Sequence, residues 1–246
     1  MKILALDTAT EACSAALLID GDLRSRELEL GRGHAEQILP MIEELLAEAG
    51  LTLSKIDAIA FGRGPGGFTG VRLAASVTQG LAFAAGIPVV PVSDLAAVAQ
   101  KVIGSEPRAQ RVVVCNDARM SEVYWGCFER GPSDLVRPVG EEKVSPPGEV
   151  TLPQAWLVAG PDVIAGGVGA AQGRGAGVYG AGRGFAAYPP LPERLAPQLA
   201  AIEDRLLPSA REIAILAVPE VVGRRTVAAE EAIPVYLRDD VARPAP

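Results

Sequence analysis

The residues best placed to do chemistry lie in one short segment. Gly62-Arg63-Gly64-Pro65-Gly66-Gly67-Phe68-Thr69-Gly70 joins an apolar run, residues 56–61, to a helical run, residues 71–85. A strand that ends in glycines and opens into a helix N-terminus is how backbone anion sites are built. The glycines admit unusual backbone angles, and the free helical N–H groups face the anion. The segment lacks the Gly-Lys-Ser/Thr ending of a P-loop. It also follows a later strand than a dinucleotide fingerprint would, with no clear acidic partner. Phosphate binding and a structural tight turn both remain open, and the residues favour the turn. Asp7 closes the first strand beside Thr8 and Thr10. Such an acid suits a hydrated magnesium ion near phosphates, or the amides of its own turn, which is the commoner role.

Other chemistry is excluded by counting. His34 is the only histidine in 246 residues, so no two-histidine metal site and no HExxH motif exists. With Ser14, Ser76, Thr69 or a cysteine it invites a nucleophilic triad, but no Gly-x-Ser-x-Gly elbow occurs. A helix-start or interface histidine is the plainer reading. Cys13, Cys115 and Cys127 form no Cys-x-x-Cys pair and lie in apolar strand patterns, which reads as buried thiols. A formal charge of -7 argues against a chain that wraps nucleic acid by itself. The N-terminus reaches Asp7 before any signal-peptide apolar region forms, and the most apolar stretch, residues 80–92, is broken by Gly86, Pro88 and Pro91. A cytoplasmic protein with no membrane association is expected.

The elements that must position these residues follow from periodicity. Residues 2–7, 13–19 and 23–30 read as a β-meander, with Asp20-Gly21 as a hairpin turn. From Ala35, apolar residues recur at Ile38, Leu39, Ile42, Leu45 and Leu46, the spacing of one helix face. Pro40 must lie in the first turn of that helix or kink it. Strands are expected at 56–61 and 88–92, and helices at 71–85, with Thr69 as N-cap, and from Ser93 to about Ile103. A mixed sheet with helices packed on it follows. A boundary is expected near residue 104, dividing an N-terminal lobe, 1–104, from a smaller C-terminal lobe, 105–246. In the second lobe, residues 111–116 and 122–128 read as strands around the turn Asp117-Ala118-Arg119-Met120-Ser121. The glycine-rich stretch 160–184 reads as a mobile loop or insertion. Ser209 with Glu212 reads as a capping box for a last helix towards Val222, interrupted at Pro219. The second helical run is apolar or small nearly all round, so a partner or a second copy must cover its outer face.

Five segments, in this order, resemble a known family. They are Leu4-Ala5-Leu6-Asp7-Thr8-Ala9-Thr10-Glu11-Ala12-Cys13; His34 ahead of Ile38-Leu39-Pro40; the 62–70 loop with Val71-Arg72; Asp117-Ala118-Arg119 with Glu122-Val123-Tyr124-Trp125; and Pro234-Val235-Tyr236-Leu237-Arg238. Together they resemble the bacterial TsaB family over nearly the whole chain except roughly 160–177. Within the loop, Gly64, Pro65, Gly66, Phe68, Thr69, Gly70 and Arg72 carry most of the likeness, which TsaB shares with its relative TsaD.

The resemblance implies an α/β fold of the actin, Hsp70 and sugar-kinase (ASKHA) type, with two related lobes of mixed sheets flanked by helices. It implies a role in forming threonylcarbamoyladenosine 3′ of the anticodon in tRNAs that read codons beginning with A. In that reaction TsaD transfers the group, TsaB pairs with TsaD as a non-catalytic supporting subunit, and TsaE joins as an ATPase, so tRNA is met only through the complex. TsaD-type enzymes bind their metal through two histidines on the helix that matches 35–49, and this sequence has only His34, ahead of it. No metal and no cofactor is therefore expected, and Asp7 with Thr8 becomes a vestigial phosphate site. The family's pairing through the first two helices of each N-terminal lobe assigns Ile38, Leu39, Ile42, Leu45, Leu46, Leu73, Val77 and Leu81 to core and interface together. The same surface would serve a homodimer of the isolated chain. Two alternatives stand beside this: a phosphotransferase or ATPase of the same superfold using Asp7 and the loop, and a peptidase, an old label for the wider family.

Overall fold

The computed structural model of the chain describes residues 1–157 and 177–238. It divides into two compact units, Met1–Val98 with Leu207–Pro246, and Ala99–Leu206.

In the first unit, β1 (Lys2–Asp7), β2 (Ala12–Ile19) and β3 (Asp22–Glu29) form the expected antiparallel meander. Asp20 and Gly21 both take positive φ, as the two-residue hairpin turn requires. Then follow α1 (His34–Glu48), β4 (Ala58–Gly62), α2 (Phe68–Ala85) and β5 (Val89–Val92), and α3 (Asp94–Ser105) spans the division after Val98. β4 lies parallel to β1 and β5 parallel to β4, giving the order β3-β2-β1-β4-β5. The Ser93 hydroxyl accepts the Ala96 N–H at 3.1 Å, the cap that its position predicts.

This sheet is covered on both faces. Leu4 and Leu6 of β1, with Cys13, Ala15 and Leu17 of β2, pack with α1 and α2. The alternate residues Ile3, Ala5, Ala16 and Leu18 pack with Ile213, Ala214 and Ala217. Those last residues belong to the final helix, so the C-terminal segment completes the first unit. The expected division at residue 104 is thus replaced by one in which residues 207 onward return to the first unit.

Two local expectations are corrected. Thr69 is not the N-cap of α2: the helix begins at Phe68, and extended Gly67 caps it, because the Gly67 carbonyl accepts the Val71 N–H at 3.0 Å. Pro40 lies in the second turn of α1, and a single helix runs through it.

The second unit contains β6 (Arg111–Asp117), β7 (Val123–Arg130), β8 (Val136–Pro138), β9 (Lys143–Ser145), α4 (Gln154–Leu157), β10 (Val178–Ala181), α5 (Gly184–Ala187), α6 (Pro190–Leu195) and β11 (Ala201–Glu203). Its sheet runs β11-β10-β6-β7-β8, with β9 also paired to β7. β6, β7 and β8 are antiparallel neighbours, and β10 and β11 run parallel to β6. This is the order of the first sheet over again: a three-stranded meander followed by two parallel strands. The fold is therefore a duplicated α/β arrangement, with one mixed sheet of the same strand order in each unit. Residues 158–176, most of the glycine-rich stretch, lie outside the described residues. Its last part is not a loop, because Val178–Ala181 is a strand paired on both sides. The chain then returns to the first unit as α7 (Ala210–Val222), which runs on through Pro219. Its Ser209 cap accepts from the Arg211 N–H and donates to Glu27 at 2.6 Å.

Candidate functional site

The glycine loop leaves the end of β4 and packs onto the turn after β1. Gly62 passes two fully buried carboxylates, Asp7 and Asp94, and a Cβ there would stand 2.5 Å from Asp7 Oδ1. Gly66 lies so close to Ala9 that a Cβ would be 2.5 Å from its carbonyl oxygen. Gly64 takes φ +100, which favours glycine. The polar groups of the two segments engage one another. Gly67 N–H donates to the Ala9 carbonyl at 2.7 Å, Thr8 Oγ1 donates to the Gly70 carbonyl at 2.7 Å, and Gly64 N–H donates to Asp94 Oδ2. Asp7 Oδ1 accepts the Ala9 N–H at 2.8 Å. The Gly64 and Gly67 N–H groups and the Thr8 hydroxyl are thus used inside the protein, which supports the structural turn.

Asp7 and Asp94 thus stand as two fully buried carboxyls on either side of Gly62. Burial pushes the Asp7 carboxyl up to about 6, against the opposing pull of the Ala9 and Asp94 hydrogen bonds.

His34 opens α1 and is tied by Nε2 to the Thr10 carbonyl at 2.9 Å, which fixes the helix start against the β1–β2 turn. Among the described residues, no group of three His, Cys, Asp or Glu side chains could hold a metal ion. The three cysteines are buried, and burial raises every thiol, Cys13 to about 11 and Cys127 to about 12. They are packing residues, as their strand positions predict.

The eight apolar residues assigned to core and interface sort into three kinds. Ile38, Ile42 and Leu45 are buried in the core of their own unit. Leu46, Leu73, Val77 and Leu81 are half-buried. Leu39 alone is exposed, at 43%. The outer face of α2 is instead made by Phe68, Arg72, Ser76, Gly80, Phe83 and Ala84, all exposed. Phe83 is 82% and Phe68 53% exposed. Sequence reasoning missed Phe83, although it lies three residues past Gly80 on the stripe 68-72-76-80. Beside it runs the C-terminal segment: Gln79 Nε2 donates to the Ala232 carbonyl at 3.1 Å, and Arg72 Nε donates to Tyr236 Oη at 2.8 Å. Phe68 and Arg72 of the loop motif thus meet Tyr236 of the C-terminal motif.

In the second unit the Asp117-Ala118-Arg119 motif forms a turn of its own. Arg119, Met120 and Ser121 all take positive φ, a conformation that L side chains seldom adopt. Asp117 holds it, accepting from the Arg119 N–H and the Tyr188 hydroxyl, each at 2.8 Å.

The family described as TsaD, tRNA N6-adenosine threonylcarbamoyltransferase, matches residues 29–245. A Haemophilus influenzae protein named tRNA threonylcarbamoyladenosine biosynthesis protein TsaB is 41% identical over 98% of this chain and 95% of its own. The Escherichia coli protein of that name is 38% identical over 98% and 96%. A Pseudomonas aeruginosa structure described as similar to the peptidase YeaZ superposes with a TM-score of 0.82 at 44% identity, covering 96% of this chain and 99% of that one.

Proposed function

The chain belongs to the TsaB family, and on that premise we propose that it is a non-catalytic subunit of the assembly that forms threonylcarbamoyladenosine in tRNA, docking on a TsaD-type subunit through the outer face of α1 and α2. The observation that carries the docking is the exposed outer face of α2, with Phe68 and Phe83 in water and Gly80 leaving room for a close backbone. A helix of a soluble lobe exposes such a stripe when another surface covers it. Leu39 of α1 adds to the same docking role.

The catalytic step belongs to the partner in this reading. The whole sequence holds one histidine, and the structure uses it at the start of α1. TsaE completes the assembly, and tRNA reaches this chain only through it. No helix among the described residues is long and apolar enough to cross a membrane, in keeping with a cytoplasmic place of work. The isolated chain would cover the same stripe with a second copy.

Reconstitution tests the proposal. TsaD- and TsaE-type subunits are combined with tRNA and threonylcarbamoyl donor, with and without this chain. Modification should need the chain, and should fall to background without it. Full modification in its absence would overturn the role.

A further inference from the structure

We infer that the Arg72 guanidinium, set against the rings of Phe68 and Tyr236, is the receptor for a carboxylate side chain of the docking partner. The inference rests on the docking proposed above and specifies what the partner must present. The two motifs that form the receptor are 164 residues apart and meet only in the folded unit. The guanidinium lies 3.5 Å from the Phe68 ring centroid and 5.6 Å from that of Tyr236, and the two rings are 6.1 Å apart. Tyr236 is held in turn by its neighbour, for the Val235 N–H donates to the Arg63 carbonyl at 2.8 Å.

This setting uses part of the guanidinium and leaves a defined remainder. Nε donates to Tyr236 Oη, and one π-face lies over Phe68. The edge carrying Nη1 and Nη2 is what remains, and among the described residues no carboxylate pairs with it. Two parallel N–H donors on a rigid fork match a carboxylate in bidentate geometry. Because the rings already hold the side chain, little rotamer freedom is lost when the acid arrives. Arg, Tyr and other aromatic residues are also the types that dominate binding hot spots.

A phosphate would match the same edge, but the surroundings favour a protein acid over RNA. The first unit carries 12 Lys and Arg against 18 Asp and Glu. Arg72 is the only charged residue of α2, and α1 exposes Glu36, Glu43, Glu44 and Glu48. RNA binding needs several cations acting together. Beyond Arg72 the stripe continues as Ser76, Gly80, Phe83 and Ala84, which suits a packed protein surface.

Calorimetry tests the inference on the full chain and a TsaD-type subunit, at low and high salt, with tRNA binding to the assembled complex measured alongside. Arg72→Gln should weaken association at least tenfold and flatten its salt dependence. Tyr236→Phe, which keeps the ring and loses the acceptor, should fall between. If Arg72→Gln lowers the melting temperature, Arg72→Lys supplies the same comparison, since it keeps the charge and loses the fork. Wild-type affinity in these variants overturns the inference and leaves the docking standing. Wild-type partner affinity with weakened tRNA binding overturns it in favour of RNA phosphate. No association by the wild-type chain overturns the docking itself, and the inference with it.

Discussion

Asp7 and Asp94 sit fully buried on either side of Gly62. Burial makes the folded state hold a proton on Asp7 to higher pH than the unfolded chain does, about 6 against 3.8. Where the folded state binds more protons, stability falls as pH rises, so this contribution is lost between about pH 4 and pH 6. Asp7→Asn keeps the Oδ1 acceptor for Ala9 and supplies its own N–H to Asp94. The variant should be more stable than the wild type at pH 7.5, by about 3 kcal/mol, and the gain should vanish near pH 4. Urea melts across that range would show it, and parallel pH profiles for the two proteins would overturn the raised Asp7 carboxyl. Asp7 and the glycines were legible as a site in the sequence. Asp94 was not, because a partner so far along the chain leaves no local signal. That missing carboxylate is what turns a magnesium-and-phosphate reading into a buried pair closing a turn.

α2 shows what periodicity can and cannot tell. Its small and apolar residues announced a helix covered on more than one side, and the helix is there. Composition alone could not rank the faces, because Leu73, Val77 and Leu81 look as suited to an interface as Phe83. The sheet decides: it draws Val71, Ala74, Ala75, Thr78 and Ala82 inward and turns Phe83 out to water. Phe83→Asp should change the stability of the isolated chain by no more than about 0.5 kcal/mol. The same change should weaken association with a TsaD-type subunit at least about tenfold. Thermal melts and pull-down titration measure the two effects, and unchanged association would place the interface elsewhere. Leu45→Asp would not serve, since Leu45 is fully buried and an unpaired carboxylate there would unfold the unit.

At the scale of the molecule, the first sheet needs both ends of the chain. The meander, the hairpin turn and the two parallel strands of the first unit could be read locally. The helix that covers the second face of their sheet could not be assigned to it, because nothing in residues 207–222 says which sheet they join. β8, β9 and β11 are three residues each, too short to carry a period. The duplicated sheet order was hidden for the same reason, and it emerges only from the pairing. A fragment of residues 1–104 should fail to fold cooperatively, because Ile3, Ala5, Ala16 and Leu18 would face water. Joining residues 1–98 to 207–238 by a short flexible linker should restore a cooperative melt. A sharp transition from the 1–104 fragment alone would contradict this account of the core.

The split first unit also sets an order of events at the ribosome. Its opening 98 residues are made first, yet their sheet stays bare on one side while the 108 residues of Ala99–Leu206 are added. At about 5–20 residues per second that interval lasts roughly 5–20 s. The second unit, continuous in the chain, can finish while the first still waits for α7. Nascent chains thus spend that time with an apolar sheet face open to chaperones, and the unit that is begun first is completed last.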